Sequence, residues 1–335
     1  MRKFLFPITT LLILFLLVIG SVVWWRENSE PVLLEDKQIR FVIPKGRSAS
    51  EIAGMLYEKG LIKSPLAFKI YVQITGVSKS IQSGEYKLSS SLSLPQIVEV
   101  LLSGPVELWV TVPEGLRREE VVERFISSLE MDDILAEKFR KDFLQASKDK
   151  EGFLFPDTYL FARTASASAI VDSMSTTFNK KLEEDQKGIS ESNLTLNEIV
   201  TLASIIERET KTDEERPIVA GILLKRLEIG MGLQADATLQ YAVASSKLKI
   251  QNSKVEKFWE PLTKEDLSIN SPYNTYKFKG LPLGPISNPG LSSLKAAIYP
   301  QGGEYLYYIH DEEGKIHYAS TLSQHNENVR KYLGK

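Results

Sequence analysis

The sequence predicts an α+β chain with a membrane-spanning helix at its N-terminus. Three observations lead there. A long uncharged apolar run opens the chain, and a strand–turn–helix unit occurs twice in the first half. The second half then alternates apolar helical stripes with Pro/Gly-dense polar loops, and it finishes in aromatic strands. Composition narrows the function classes. The 335 residues carry a net charge of −2 with both signs interleaved, which gives no footprint for nucleic acid. Cys is absent, so no disulfide or thiolate metal site is available.

The first element is the run Phe4 to Trp25. At about 1.5 Å per residue, about 22 apolar residues match the ~30 Å of a bilayer core. Arg2 and Lys3 precede the run and favour a cytoplasmic N-terminus, and Trp24 and Trp25 suit the far interface. Residues 1–26 therefore read as a cytoplasmic N-terminus and a single span of the cell membrane, with the rest extracytoplasmic. A cleaved signal peptide is the competing reading. The run is long for such a peptide, and no clean small-x-small cleavage site follows it.

The second region, 39–160, contains the repeat. Val42-Ile43-Pro44-Lys45-Gly46 followed by Ser48 to Ala53 matches Thr111-Val112-Pro113-Glu114-Gly115 followed by Arg117 to Val122, offset by 69 residues from Pro44 to Pro113. Each copy reads as a β-branched strand, a Pro-x-Gly turn and a helix with a polar start. Strand candidates with a central Tyr follow at Gly84–Leu88 and Pro156–Phe161. Two copies are too few for a solenoid. The outline resembles LysM-type carbohydrate-binding modules, which implies glycan binding. A plain α+β spacer fits the same pattern.

The third region, 165–335, opens with a helical stretch carrying Ile170, Met174 and Phe178. A helix then begins at Leu194-Thr195, where Thr195 and Glu198 have capping-box spacing and Leu194 and Ile199 that of a hydrophobic staple. At about 100° per residue, Leu196, Leu202, Ala203 and Ile206 cluster around Ile199, and Glu207 lies at the edge of this stripe. Glu209 lies at the opposite edge, and Arg208 points to solvent. A carboxyl against apolar surface resists ionising and can serve as a general acid. Glu207 also reads as a boundary residue on a half-buried helix, paired with an Arg or Lys. A second helix spans Asp213 to Leu227, with Pro217 in its first turn and Gly230 as its stop. Beyond it the chain reads as loops, then strands at Tyr305–Ile309 and Lys315–Ala319 and a helix at Ser323–Leu333. His310, His317 and His325 form no helical ligand pair and read as surface or strand residues, so no metal or other cofactor is expected.

Three polar loop clusters follow the Glu207 helix: Gly232–Thr238, Ser271–Tyr276 and Gly280–Gly290. Rigid loops bearing Gln, Asn, Ser and Tyr can present amides, hydroxyls and ring faces to sugars, and they also read as purely structural. Together with Ala203-Ser204-Ile205-Ile206-Glu207-Arg208-Glu209-Thr210, the segments Leu233-Gln234-Ala235-Asp236, Tyr273-Asn274-Thr275-Tyr276, Gly280-Leu281-Pro282 and Pro285-Ile286-Ser287-Asn288-Pro289-Gly290 resemble the endolytic murein transglycosylase family (MltG, YceG-like) in order and spacing over nearly the whole chain. Ala237 departs from the Pro common in the family after the Asp.

That resemblance implies an α+β lytic transglycosylase domain acting on peptidoglycan. It implies cleavage of the β-1,4 bond after N-acetylmuramic acid within nascent glycan strands, a 1,6-anhydro-muramyl end, and termination of strand elongation. Glu207 takes the position of the catalytic acid. Gln234, Asn274 and Tyr276 are the candidate substrate contacts, and Glu209 reads as structural. Penicillin-binding synthases are the partners such a membrane-bound cutter implies. A hydrolytic muramidase with Asp236 as second carboxylate, and a non-catalytic glycan-binding scaffold that recruits synthases, are the alternatives.

Overall fold

A computed structural model describes residues 2–251 and 257–334, except for the side chains of residues 2–10, 12 and 249–251. The chain divides into two compact units. One comprises Met1–Val110 with Tyr159–Ala165, and the other Thr111–Thr158 with Ser166–Lys335.

The first unit begins with helix α1 (Arg2–Ser29). Along it Leu11, Ile13 to Ile19, Val22 and Val23 are exposed. Trp24 and Trp25 turn inward, and Trp25 stacks on Tyr71 with ring centroids 5.6 Å apart. Among the described residues no helix is long and apolar enough to cross a membrane. The span expected over Phe4–Trp25 falls in large part on residues 2–10 and 12, whose side chains lie outside the described set.

Strand β1 (Gln38–Ile43), helices α2 (Ala49–Glu58) and α3 (Pro65–Ile74) and strand β2 (Gly84–Ser89) follow. β1 and β2 pair antiparallel with Phe41 opposite Tyr86. Phe41, Ile43, Tyr86 and Leu88 meet Ile52, Leu56 and Phe68 from the helices, so one face of the sheet and the apolar stripes of α2 and α3 share a core. Helix α4 (Leu94–Leu102) adds Ile97 and Leu101 to it. Strands β3 (Glu107–Thr111) and β4 (Thr158–Ala162) complete a sheet of order β1-β2-β3-β4.

The repeated sequence yields the same local device twice. Pro44-Lys45-Gly46 leads from β1 to α2, and Pro113-Glu114-Gly115 leads from β3 to helix α5 (Arg118–Ser128). Gly46 and Gly115 have φ of +79° and +75°, a left-handed backbone that glycine adopts without a steric cost. In both helices a glutamate at the third position, Glu51 and Glu120, again 69 positions apart, accepts the N-cap N–H, and in α2 the Ser48 hydroxyl completes a capping box. The unit boundary nonetheless departs from the sequence division near residue 160. The helices of the second copy, α5 and α6 (Asp133–Ala146), belong to the second unit, where α6 packs on α7 (Ala167–Lys181). Arg117 helps hold them there. Its guanidinium is buried over the Tyr241 ring at 4.0 Å and donates to Ser245 Oγ at 3.0 Å.

The rest of the second unit comprises α8 (Gln186–Glu191), α9 (Leu196–Glu209), α10 (Glu215–Glu228), α11 (Asp236–Gln251), α12 (Leu291–Ile298), a hairpin of β5 (Tyr307–His310) and β6 (Ile316–Ala319), and α13 (Leu322–Leu333). Helices α11 and α12 stand where the sequence reads as loops. Asp236 supplies an acidic first turn to α11, and the polar residues spread through that helix mask its periodicity, while α12 spans only 8 residues. Arg226 on α10 ties the surrounding loops to the helix, donating to the Leu306 and Leu233 carbonyls at 2.7 and 2.6 Å.

Gly221 marks a close crossing on α10, because a Cβ there would meet the Gln301 carbonyl oxygen at 2.0 Å. That oxygen is backbone and cannot swing aside, since Gln301 N–H is held by the Pro217 carbonyl at 2.9 Å. Gly221→Ala is expected to destabilise the protein by about 1–3 kcal/mol, the usual cost of overpacking, even though alanine is the better helix former. Urea unfolding followed by circular dichroism measures it, and an unchanged midpoint would count against so tight a crossing.

Candidate active site

The site is built on α9. Thr195 caps the helix and Glu198 closes the box, so the N-terminus is fixed as its sequence predicts. Every residue from Ile199 to Ile206 is buried, which encloses the helix more fully than a half-buried stripe would. The reason is its neighbours, since α10, α11 and α12 all pack against it. Thr201 and Ser204 are tolerated inside because each hydroxyl donates to a carbonyl one turn earlier, Asn197 and Thr201 respectively, both at 2.7 Å. Ser204 has a second task. Its hydroxyl accepts the Ile286 N–H at 3.0 Å, and its carbonyl accepts the Ser287 hydroxyl at 3.3 Å. The Pro/Gly loop around residues 284–290 is thereby fastened to the helix that carries Glu207.

Glu207 occupies the last turn of α9 with its side chain 7% exposed. Its carboxyl is held from two sides. Arg216 Nη2 donates to Oε1 at 3.3 Å, and the Gly290 N–H donates to Oε2 at 2.9 Å. The apolar setting expected from the helical stripe is thus completed by a buried ion pair with Arg216, which also pairs with Asp213. Gly115 covers the Glu207 side chain, since a Cβ at that glycine would lie 3.6 Å from Glu207 Cγ. Arg208 sits on the exposed side as expected, but it is not free in solvent. Its guanidinium stacks over the Trp259 ring at 3.9 Å, and burial lowers its pKa.

Asn288 organises the loops around this carboxyl. Its Oδ1 accepts the Leu154 N–H at 2.9 Å, and its Nδ2 donates to the Leu116 carbonyl at 2.9 Å and to Glu151 Oε1 at 3.3 Å. Its backbone bridges to Leu116 and accepts the Gly115 N–H. Glu151 is enclosed by Arg118, Asn288 and Tyr241. Burial, joined by the charge of Glu119, pushes its pKa up to about 8.

The folded protein therefore keeps a proton on Glu151 that the unfolded chain, titrating near 4.5, gives up. Its contribution is fully present below pH 4.5 and is lost as pH rises to about 8. Glu151→Gln is expected to gain stability relative to wild type between about pH 5 and 8. Paired denaturant titrations at the two ends of that window read the difference, and a constant difference would show that Glu151 does not titrate there.

Glu209 leads a separate cluster. It accepts the Tyr308 hydroxyl at 3.0 Å and the Ala237 N–H, and burial raises its pKa. The Tyr276 hydroxyl donates to Asp236 at the start of α11. Both Asp236 and Tyr276 thus belong with Glu209, and among the described residues neither is hydrogen-bonded to Glu207. Gln234 is exposed with φ +51°, an uncommon conformation for a residue other than glycine. Asn274, a candidate substrate contact by sequence, is wholly buried. Its Nδ2 donates to the Leu267 and Ile269 carbonyls and its Oδ1 accepts the Tyr276 N–H, so it builds the loop and presents no atom to a sugar. The sequence reading did not single out Arg216 or Glu114. Nor did it foresee how Asn288 and Glu151 hold the loops. The repeat did carry a signal for Glu114, because only the second turn places an acid between its Pro and Gly.

The model of the YceG-like family matches residues 41–331, a stretch containing this entire arrangement. The chain belongs to the YceG-like family. It is 30% identical to the endolytic murein transglycosylase of Bacillus subtilis (strain 168), over 95% of this chain and 91% of the relative. It is 29% identical to the endolytic murein transglycosylase of Streptococcus pneumoniae serotype 2 (strain D39 / NCTC 7466), covering 98% of this chain but 65% of that longer protein. A crystal structure of the yceG-like protein lmo1499 from Listeria monocytogenes superposes with a TM-score of 0.54 at 29% identity, covering 88% of this chain and 99% of that one. The mixed α+β architecture described above is thus that of a YceG-like protein.

Proposed function

We propose that this protein is an endolytic lytic transglycosylase of peptidoglycan and that Glu207 is its acid–base residue. The observation that carries the reading is the Glu207 carboxyl, oriented by Arg216 and the Gly290 N–H at the end of an enclosed helix within the family motif. Two relatives that match nearly the full length of this chain bear that activity in their names. In the reaction Glu207 protonates the glycosidic oxygen as the C1–O4 bond breaks. The N-acetyl group of the muramic acid residue can shelter the cationic carbon, as in substrate-assisted glycosidases. The Glu207 carboxylate then removes the proton from the same sugar's C6 hydroxyl while O6 bonds to C1. No water enters, the residue regains its proton, and a 1,6-anhydro end is left. Fixing the carboxyl by two donors supports this use, because one group must face first O4 and then O6.

Gln234 and the exposed edge of the Tyr276 ring are the proposed sugar contacts. The muramidase reading requires Asp236 beside Glu207, and Asp236 is instead engaged by Tyr276. Mass spectrometry of glycan strands digested by the purified protein tests the reading. Anhydro-muramyl ends are expected; reducing ends alone would point to hydrolysis, and intact strands to a scaffold.

The exposed apolar face of α1 supports a single-pass anchor with the remaining chain outside the cytoplasm, where nascent glycan and penicillin-binding synthases would be met. Protease added to wall-stripped cells is expected to degrade the large domains. Their protection, or release of the protein without detergent, would count against the anchor.

A further inference from the structure

The Pro113-Glu114-Gly115 turn places a second carboxyl at the Glu207 site. The two acids converge on one residue, Gly290. Its N–H donates to Glu207 Oε2 at 2.9 Å, and a Cβ built on it would lie 1.8 Å from Glu114 Oε1. With ordinary bond lengths this caps the separation of the two oxygens at about 8 Å. The turn is held in place independently of the acid, by the Gly115 N–H on the Asn288 carbonyl at 2.9 Å and by the Leu116–Asn288 bridge. Glu114 itself is exposed, and among the described residues its carboxyl accepts no hydrogen bond and forms no ion pair. A carboxyl kept beside another carboxyl, without a donor of its own, has no structural task to explain it.

We propose that Glu114 is a positioning residue for Glu207, a second carboxylate whose charge helps the Glu207 carboxyl hold the proton it delivers in cleavage. This inference rests on the transglycosylase reading of Glu207. The groups around Glu114 bear it out. Partial burial of its carboxyl end raises its pKa, as do the charges of Glu207 on α9 and Asp213, while Arg216 on α10 opposes them. Arg208, also on α9, is the other nearby cation, since a Cβ built on Gly115 would lie 3.4 Å from its Nη1. The charge of each carboxyl opposes ionisation of the other. In turnover Glu207 gives its proton to O4 and takes one back from the C6 hydroxyl, so the site ends as it began.

The test is the pH profile of glycan cleavage by the full-length protein, scored as anhydro ends. Glu114→Gln keeps the shape of the side chain and removes its charge. The proton is then lost from the site at lower pH, so the alkaline limb of kcat moves down by about one unit, with KM little changed. On the alkaline side of that limb this is about a tenfold loss, recovered on acidification. Glu114→Asp keeps the charge and should keep the limb near its wild-type position. A Glu114→Gln profile that superposes on wild type, or falls at every pH without moving, overturns the proposal and leaves Glu114 as part of a turn. If wild type itself yields no anhydro ends, the transglycosylase reading fails, which is a separate outcome.

Discussion

Glu207→Gln is expected to leave a folded protein that no longer cuts glycan. Glutamine fills the same space and can still accept the Gly290 N–H through its amide oxygen, so the 284–290 loop should hold. What is lost is the exchangeable proton, which glutamine can neither deliver to O4 nor retake from O6. A loss of at least about 10²–10⁴-fold in kcat is expected, the usual share of a general acid–base group. Circular dichroism and a thermal midpoint near wild type establish the fold first. Cleavage at a near wild-type rate would move the acid elsewhere. Glu114 would then be the first residue to examine, and Glu209, enclosed by Tyr308 and Ala237, a distant second.

Asn288→Ala is expected to produce the largest loss of stability among single changes near the site. The side chain serves the Leu154 N–H, the Leu116 carbonyl and the Glu151 carboxyl from a fully buried position. Alanine orphans the Leu154 N–H in a place water does not reach, and removes one of the bonds to the Leu116 carbonyl, which keeps the Asn288 N–H, and to Glu151, which keeps the Arg118 N–H. One buried orphan at about 1–3 kcal/mol and two lost hydrogen bonds at about 0.5–1.5 kcal/mol each put the cost at about 2–6 kcal/mol. Activity should fall with it, because Gly290 lies two residues on and its N–H orients Glu207. Denaturant unfolding gives the first quantity and strand cleavage below the transition the second. A cost under about 1 kcal/mol would mean the loops are held by their prolines and not by this amide.

Much of this arrangement was legible in the sequence wherever the rule was local. The Thr195 capping box, Pro217 in the first turn of α10, the two Pro-x-Gly turns and the terminal hairpin all depend on neighbours a few residues away, and each appears near its expected position. What stayed hidden depends on distant partners. Helix periodicity placed Glu207 at an apolar edge. It could not show that Arg216 reaches back to it from the next helix, or that a turn nearly a hundred residues earlier lies over it. Asn274 illustrates the same limit from the other side. A polar residue in a rigid loop reads as a ligand contact, and only the fold shows its amide committed to backbone. Helix α11 shows little amphipathic patterning and is held by its neighbours, and α12, at 8 residues, is too short for its period to stand out.

The two Pro-x-Gly turns have a consequence for how this chain can change. Their shape comes from proline, a left-handed glycine and a capping glutamate, and the middle residue stands exposed in both, Lys45 in one and Glu114 in the other. At residue 114, whose carboxyl makes no hydrogen bond or ion pair among the described residues, the turn is therefore largely indifferent to its occupant. A chain that contains the motif twice keeps one copy as plain architecture, while the other copy's middle residue is open to chemistry. New proton-transfer behaviour can thus be sampled by single substitutions at residue 114, with little risk to folding, a latitude that the tightly enclosed Glu207 and Asn288 do not have.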